Sequence, residues 1–350
     1  MQTPRFRSSA VLGLSSLVLF LAFGPALPTL ADPASDLAAF SAFENLDLSK
    51  LAGAKPLGAR GAPVSFPRGM AVQSCYVLPL PLKEAVAFQR EWKASGHPEL
   101  KVYLHRDLSP KASLAEFQAI GSAPDSAAVR ALMAATQALN PDRPELQMSA
   151  GEAKLFNKAS TDGAAGSMPS NVAAFWSRIL QQRAAAFVTG GASRQPAYSA
   201  GESIRPSEEI AQLLKEQPKI AGHFKALLDE SGWLNGGGKL TLSLSLELFD
   251  VEGQGAFSLG AAYAKQTGES WQTLEVQYYA SSGYFAMVTL HQFWPVKIGA
   301  REATLVWRGD LLSSASLAEL HGVERLGSSG AMMKAIQKNI GFLQKDAEKR

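Results

Sequence analysis

Leu240, Leu242, Leu244, Leu246 and Leu248 alternate with Thr241, Ser243, Ser245 and Glu247. Successive strand side chains point to opposite faces, so this run puts leucine on one face and polar groups on the other, and it matches no helical stripe. Such a segment folds as a half-buried strand or not at all. Four more strand patterns follow, near 255–265, 271–280, 284–294 and 302–311, with Gly253, Gly268, Gly283 and Gly299 in the short connections. Connections this short join antiparallel neighbours, which predicts a five-stranded meander. Its apolar face would carry the leucines with Phe257, Leu259, Tyr263, Leu274, Val276, Tyr278, Tyr284, Ala286, Val288, Leu290, Leu305 and Trp307. The opposite face would carry Glu275, Gln277, Thr289, His291 and Arg308.

Upstream, residues 69–80 read as a strand. Residues 81–92 read as a helix with Leu82, Ala85, Val86, Phe88 and Trp92 at three- and four-residue spacing, and Leu100–Leu104 as a second strand. Pro81 suits a first helical turn. The stretch 113–235 is helical almost throughout. Asp125 precedes an Ala/Leu/Met segment, Ser149 and Glu152 form a capping-box pattern, and Pro206 and Pro218 introduce helices. Its most amphipathic member follows Ser170 and gathers Val172, Phe175, Trp176, Ile179, Leu180 and Phe187 on one side. Beyond Gly327 and Gly330, with Ser328 or Ser329 as caps, Met332, Ala335, Ile336, Asn339, Ile340 and Leu343 mark one face of a terminal helix, and Lys334, Lys338 and Lys345 the other. That helix is the natural cover for the apolar side of the meander.

The fold class is therefore α+β: an antiparallel β-meander packed against a long C-terminal helix, with a large helical insertion. The organisation expected along the chain is a leader over 1–31, an N-terminal arm over 32–68, a strand-helix-strand part over 69–112, the helical block over 113–235, and the meander with its helix over 239–346.

The leader has the composition of a signal peptide. Arg5 and Arg7 precede fourteen residues from Ala10 to Phe23 that are almost wholly apolar, followed by Pro25, Pro28 and the small-residue site ending at Ala31. A membrane-spanning helix needs about 20 apolar residues, so cleavage and export to the periplasm or the medium are expected rather than anchoring. No cysteine follows the apolar run to take a lipid, since the single cysteine is Cys75. A lone cysteine in an oxidising compartment forms no internal disulfide, and within a strand pattern it reads as a buried, inert thiol.

Lysines and arginines are interspersed with acids and the formal charge is only +3. That balance argues against nucleic acid as a partner, because phosphate binding needs a concentrated basic stripe. With 46% hydrophobic and 19% charged residues, the chain can bury a large core and lies far from the disordered class.

The order strand, helix, antiparallel meander, long final helix resembles the START-type helix-grip domains. The likeness covers residues 69–107 and 239–346 and is nearest from Ser281 through Trp307, Arg308, Gly309 and Asp310 to the segment Gly330–Ile336. It implies an apolar cavity between sheet and helix. It would leave the helical block as an insertion.

Familiar catalytic signatures are absent. Gly253, Gly255 and Ser258 approach a dinucleotide fingerprint but open a strand, and Gly236–Gly238 with Lys239 lack the hydroxyl residue of a phosphate loop. No SxxK or HExxH occurs, and the stretch from Gly255 to Gly260 is one residue too long for a nucleophile elbow. His97, His105 and Asp107 fit no standard metal spacing. Glu208 with Glu209, and Asp229 with Glu230, read as solvated carboxylates near helix ends. No cofactor, metal or catalytic residue is expected.

The polar-tipped aromatics Tyr263, Tyr278, Tyr284 and Trp307 are the expected ligand-binding set, with plain core packing as the competing reading. The expected function is non-catalytic binding of an apolar or amphipathic small molecule between sheet and C-terminal helix. Two alternatives stand beside it. One is an exported enzyme whose His105, Asp107, His291, Arg308 and Asp310 converge from separate strands. The other is a scaffold that presents the helical block, around Phe175 and Trp176, to an envelope protein.

Overall fold

The structure is a computed structural model that describes residues 32–350 apart from 45, 52, 54, 158–167, 200 and 201. The leader over 1–31 lies outside the described residues. Among the described residues no helix is long and apolar enough to cross a membrane.

The meander forms over β4 (Ser243–Val251), β5 (Gln254–Thr267), β6 (Ser270–Ala280), β7 (Ala286–Ile298) and β8 (Arg301–Ser313). The β4–β5 turn places Glu252 and Gly253 at φ of 52° and 89°, the paired positive values of a type I′ hairpin. The next turns put Gly268 and Gly299 at positive φ in the first central position. Strand β4 begins after Leu240 and Leu242, which remain partly buried against the core.

The sheet is wider than the meander: β1 (Leu57–Arg60), β2 (Gly69–Leu78) and β3 (Val102–Leu108) extend it to eight antiparallel strands ordered β1-β2-β8-β7-β6-β5-β4-β3. Strand β2 pairs over its whole length with residues 304–313 of β8, and β3 pairs with β4 at the far edge. The segment expected to be a loose arm contributes the edge strand β1 (Leu57–Arg60) and a helix, Pro33–Phe40, whose Leu37 and Phe40 are buried. Phe40 stacks on His223 with ring centroids 3.8 Å apart, so burial of one apolar face holds the arm in place.

The apolar strand positions fall on the predicted face except Tyr284, which precedes β7 and bonds Ser258 and Gln277 on the other face, and the helical block covers the predicted face. The Ser170–Gly190 helix buries Phe175, Trp176, Ile179 and Leu180 in the same core as Leu244, Leu246, Phe257, Leu274 and Val288. Phe175 and Trp176 therefore leave no exposed apolar patch for an envelope partner. Trp176 reaches Phe257 at 5.3 Å and donates its indole N–H to Thr136. A register shift at Leu259/Gly260 turns both Tyr278 and Tyr279 into this core although they are adjacent in sequence.

The C-terminal helix grips the other face. It runs over Gly322–Ala347, longer than its sequence signals indicate, and passes straight through Gly327 and Gly330. Ser329 is not a cap: its hydroxyl accepts from Arg60 Nε and donates to the carbonyl of Leu326. Ile336, Ile340 and Leu343 pack with Tyr76, Leu78, Phe293 and Val306, and the Leu82–Glu91 helix shares that second core. Two apolar layers thus sandwich one sheet. The insertion takes the more apolar face because it offers more apolar surface to bury.

Candidate functional site

The C-terminal helix and the Leu82–Glu91 helix each border a concavity. The larger, about 1020 Å³, lies between the C-terminal helix and the sheet end formed by β2, β7 and β8. Its walls include Val77, Pro79, Ile298, Ala303 and Phe342, and its rim carries Lys55, Arg301, Lys334, Lys338 and Lys345 against only Glu302 and Glu348. Lys334, Lys338, Gly341 and Lys345 lie at four-, three- and four-residue intervals, so helical geometry aligns them on one side. Gly341 leaves that row open at its middle, since a Cβ there would meet nothing within 4 Å. Lys338 donates to the carbonyl of Glu99 at 2.7 Å, and Lys345 Nζ stands 5.7 Å from the Phe342 ring centroid. Lys334 and Arg301 have no hydrogen-bonding partner among the described residues.

The second concavity, about 500 Å³, lies between the Leu82–Glu91 helix and strands β3–β6. Its lining is polar. His105 is held between Glu247 Oε1 at 2.9 Å from Nδ1 and Asp107 Oδ1 at 3.2 Å from Nε2, and Lys93 donates to the same Asp107 oxygen at 2.7 Å. Burial alone would weaken the proton on His105, but Glu247, helped by Asp107, raises its pKa above the ordinary value. Both ring nitrogens are occupied, so His105 offers no free base. Glu275 lines the cavity from the central strand β6 and makes no hydrogen bond or ion pair among the described residues. Burial raises its pKa against the opposing pull of Arg308.

His291, Arg308 and Asp310 lie further along the same face, where Arg308 and Asp310 pair and His291 stands across from Arg308 on β7. Arg308 clamps Asp310 through two hydrogen bonds of 2.8 Å, Thr289 donates to Asp310 at 2.8 Å, and Thr273 meets His291 Nδ1 at 3.1 Å. Burial, reinforced by Arg308, holds His291 neutral. His105 and Asp107 thus meet at the polar cavity, while Arg308 and Asp310 form a separate buried pair and His291 bonds only Thr273 among the described residues. His97 turns away from both, with Nε2 2.7 Å from Asp346 of the C-terminal helix.

The four aromatic candidates are buried and line neither concavity. Tyr263, Tyr278 and Trp307 face the helical block, on three different strands. Phe187 stacks on Tyr278 at 3.9 Å, and Trp307 donates to Gln73 Oε1 at 3.1 Å while packing on Phe40 and Phe224. Burial pushes the Tyr263 phenol up to about 12. Tyr284 bonds instead to Ser258 and Gln277 from the other side of the sheet. Cys75 is fully buried and its thiol is pushed up to about 12 by burial, the state of an unreactive core cysteine. Glu209, read as solvated, is buried and receives Arg68 Nη2 at 2.8 Å.

Sequence reasoning had the residues of both concavities in view but not their role. The lysine row was legible as a polar helix face, and Glu275 as a polar strand position. Nothing in the sequence says that a groove opens beside one and a cavity beside the other. Comparison with known proteins adds no relative: no family model, no curated protein and no solved structure matches the chain.

Proposed function

We propose that this chain is an exported, non-catalytic binding protein that holds an amphipathic small molecule with an acidic head in the groove between the sheet and the C-terminal helix. The observation that carries the reading is the groove's lining, an apolar floor of Pro79, Ile298 and Phe342 under a rim of lysines and Arg301. Each methylene seated on such a floor contributes about 0.8 kcal/mol. The cations supply charge-assisted hydrogen bonds to a carboxylate or phosphate head. Export rests on the leader composition of residues 1–31.

Titration with dodecanoate and dodecylammonium tests it. Dodecanoate should bind, and Gly341→Leu, which fills the groove while improving helix propensity by about 1 kcal/mol, should abolish binding without loss of stability. Charge reversal of Lys334 and Lys338 should weaken dodecanoate binding and favour the amine. Equal binding of both probes to wild type and to Gly341→Leu would overturn the proposal.

A further inference from the structure

We propose that the polar cavity under the Leu82–Glu91 helix is a second binding site, for a small molecule whose ammonium group sits on Glu275. This inference is independent of the groove.

The cavity exists because β5 presents Ser258, Gly260 and Ala262 to it, three small residues in alternate positions where the opposite face carries Phe257, Leu259 and Tyr263. Its volume, about 500 Å³, is that of a small-molecule site. Glu275 is paired across the sheet with Ala262 on β5 and Thr289 on β7, and neither can neutralise a carboxylate.

The two cations that act on Glu275, Arg308 and Lys93, are already committed. Arg308 is clamped to Asp310, His105 lies between Glu247 and Asp107, and Lys93 is on Asp107. Arg90 reaches toward Ser243 at 3.4 Å. With those pairs closed, Glu275 is the half-buried cavity carboxyl without an ion pair among the described residues, Glu91 at the mouth being exposed. Burial favours the neutral form of Glu275 against the pull of Arg308. A bound ammonium would supply the missing charge through hydrogen bonds of about 2.7–2.9 Å. Further polar atoms face the same space. Gln277 accepts from Tyr284 through its carbonyl oxygen, which leaves its amide N–H groups to donate, and Ser245 adds a hydroxyl. An anion finds the opposite situation, with Glu275, Glu247, Asp107 and Glu91 on the walls and Arg90, bonded only to Ser243, as the lining cation without an acidic partner among the described residues.

The test uses butylammonium, with butanol and butyrate as neutral and anionic isosteres, followed by backbone amide shifts of the full chain near neutral pH. Butylammonium should shift β5 and β6 amides saturably while butanol and butyrate do not. Loss of one charge-assisted contact in Glu275→Gln should weaken binding about tenfold or more. Ser245→Leu, which fills the cavity and leaves Glu275 in place, should abolish it, so the test survives if either variant fails to fold. Gly341→Leu should leave butylammonium binding unchanged, which separates this site from the groove. No saturable butylammonium shift in the wild type, equal response to butanol, or unchanged affinity in both cavity variants would overturn the proposal.

Discussion

Arg183 donates to Glu152 Oε2 at 2.6 Å, the same oxygen that accepts the backbone N–H of Ser149 at 2.7 Å. The carboxylate that closes the capping box of one short helix is thus the counter-ion of a fully buried arginine on the longest helix of the block. The Arg183 guanidinium also lies 4.2 Å from the Tyr279 ring centroid, which ties both helices to β6.

Removing one partner of this pair leaves a buried charge uncompensated. Glu152→Ala should lower unfolding free energy by about 3–5 kcal/mol, read by urea denaturation. Substituting both partners, Glu152→Leu with Arg183→Met, should recover a large part of that loss. A single-variant loss below about 1 kcal/mol would show that the charge reaches water.

Trp307 is a packing residue between Phe40, Phe224 and Gln73. Trp307→Ala should cost about 3–5 kcal/mol of stability. At temperatures where the variant stays folded, dodecanoate affinity should be unaltered. A specific loss of ligand binding with stability intact would return Trp307 to the ligand site.

The acidic cage of His105 predicts a pH dependence on the alkaline side. Folding raises this imidazole's pKa above 6.5, so its contribution to stability is complete below that value and is lost as pH rises through the folded-state pKa. Glu247→Gln should bring the His105 titration, followed by imidazole proton shifts, back toward 6.5 and flatten that part of the stability profile. An unchanged midpoint would contradict the cage.

Asp346 predicts the opposite slope in acid. Lys349, the Trp92 indole and His97 together lower its pKa below the ordinary 3.8. The stability it contributes is present above 3.8 and disappears as pH falls through the depressed value. Asp346→Asn should therefore lose stability near neutral pH yet show a shallower acid decline than wild type, measured by thermal unfolding at stepped pH.

Glu252 takes the first left-handed position of the β4–β5 turn, at a conformational cost of about 1 kcal/mol for an ordinary side chain. Glu252→Asn keeps the turn and suits that position, so it should raise stability by about 0.5–1 kcal/mol. A neutral or negative change would mean that Glu252 makes a compensating contact.

The alternation from Leu244 to Leu248, the glycine turns and the apolar set from Phe257 to Trp307 fixed the meander, its antiparallel order and its core face, because a period of two admits only one backbone and a short turn only one pairing. Proline-led helices and the Ser149–Glu152 box were equally local, and they formed where the sequence placed them. Which layer covered which face was not local. The Ser170–Gly190 helix and the C-terminal helix both carry apolar stripes, and only the summed burial of the whole chain assigned the first to the leucine face and the second to Tyr76, Phe293 and Val306. Strands β1, β2 and β3 joined the edges for the same reason, since edge pairing is a contact between segments far apart in sequence. Both proposed sites are the remainder of that assignment. The groove opens along the polar side of the C-terminal helix at the sheet end, and the cavity opens where β5 presents small residues beside Glu275.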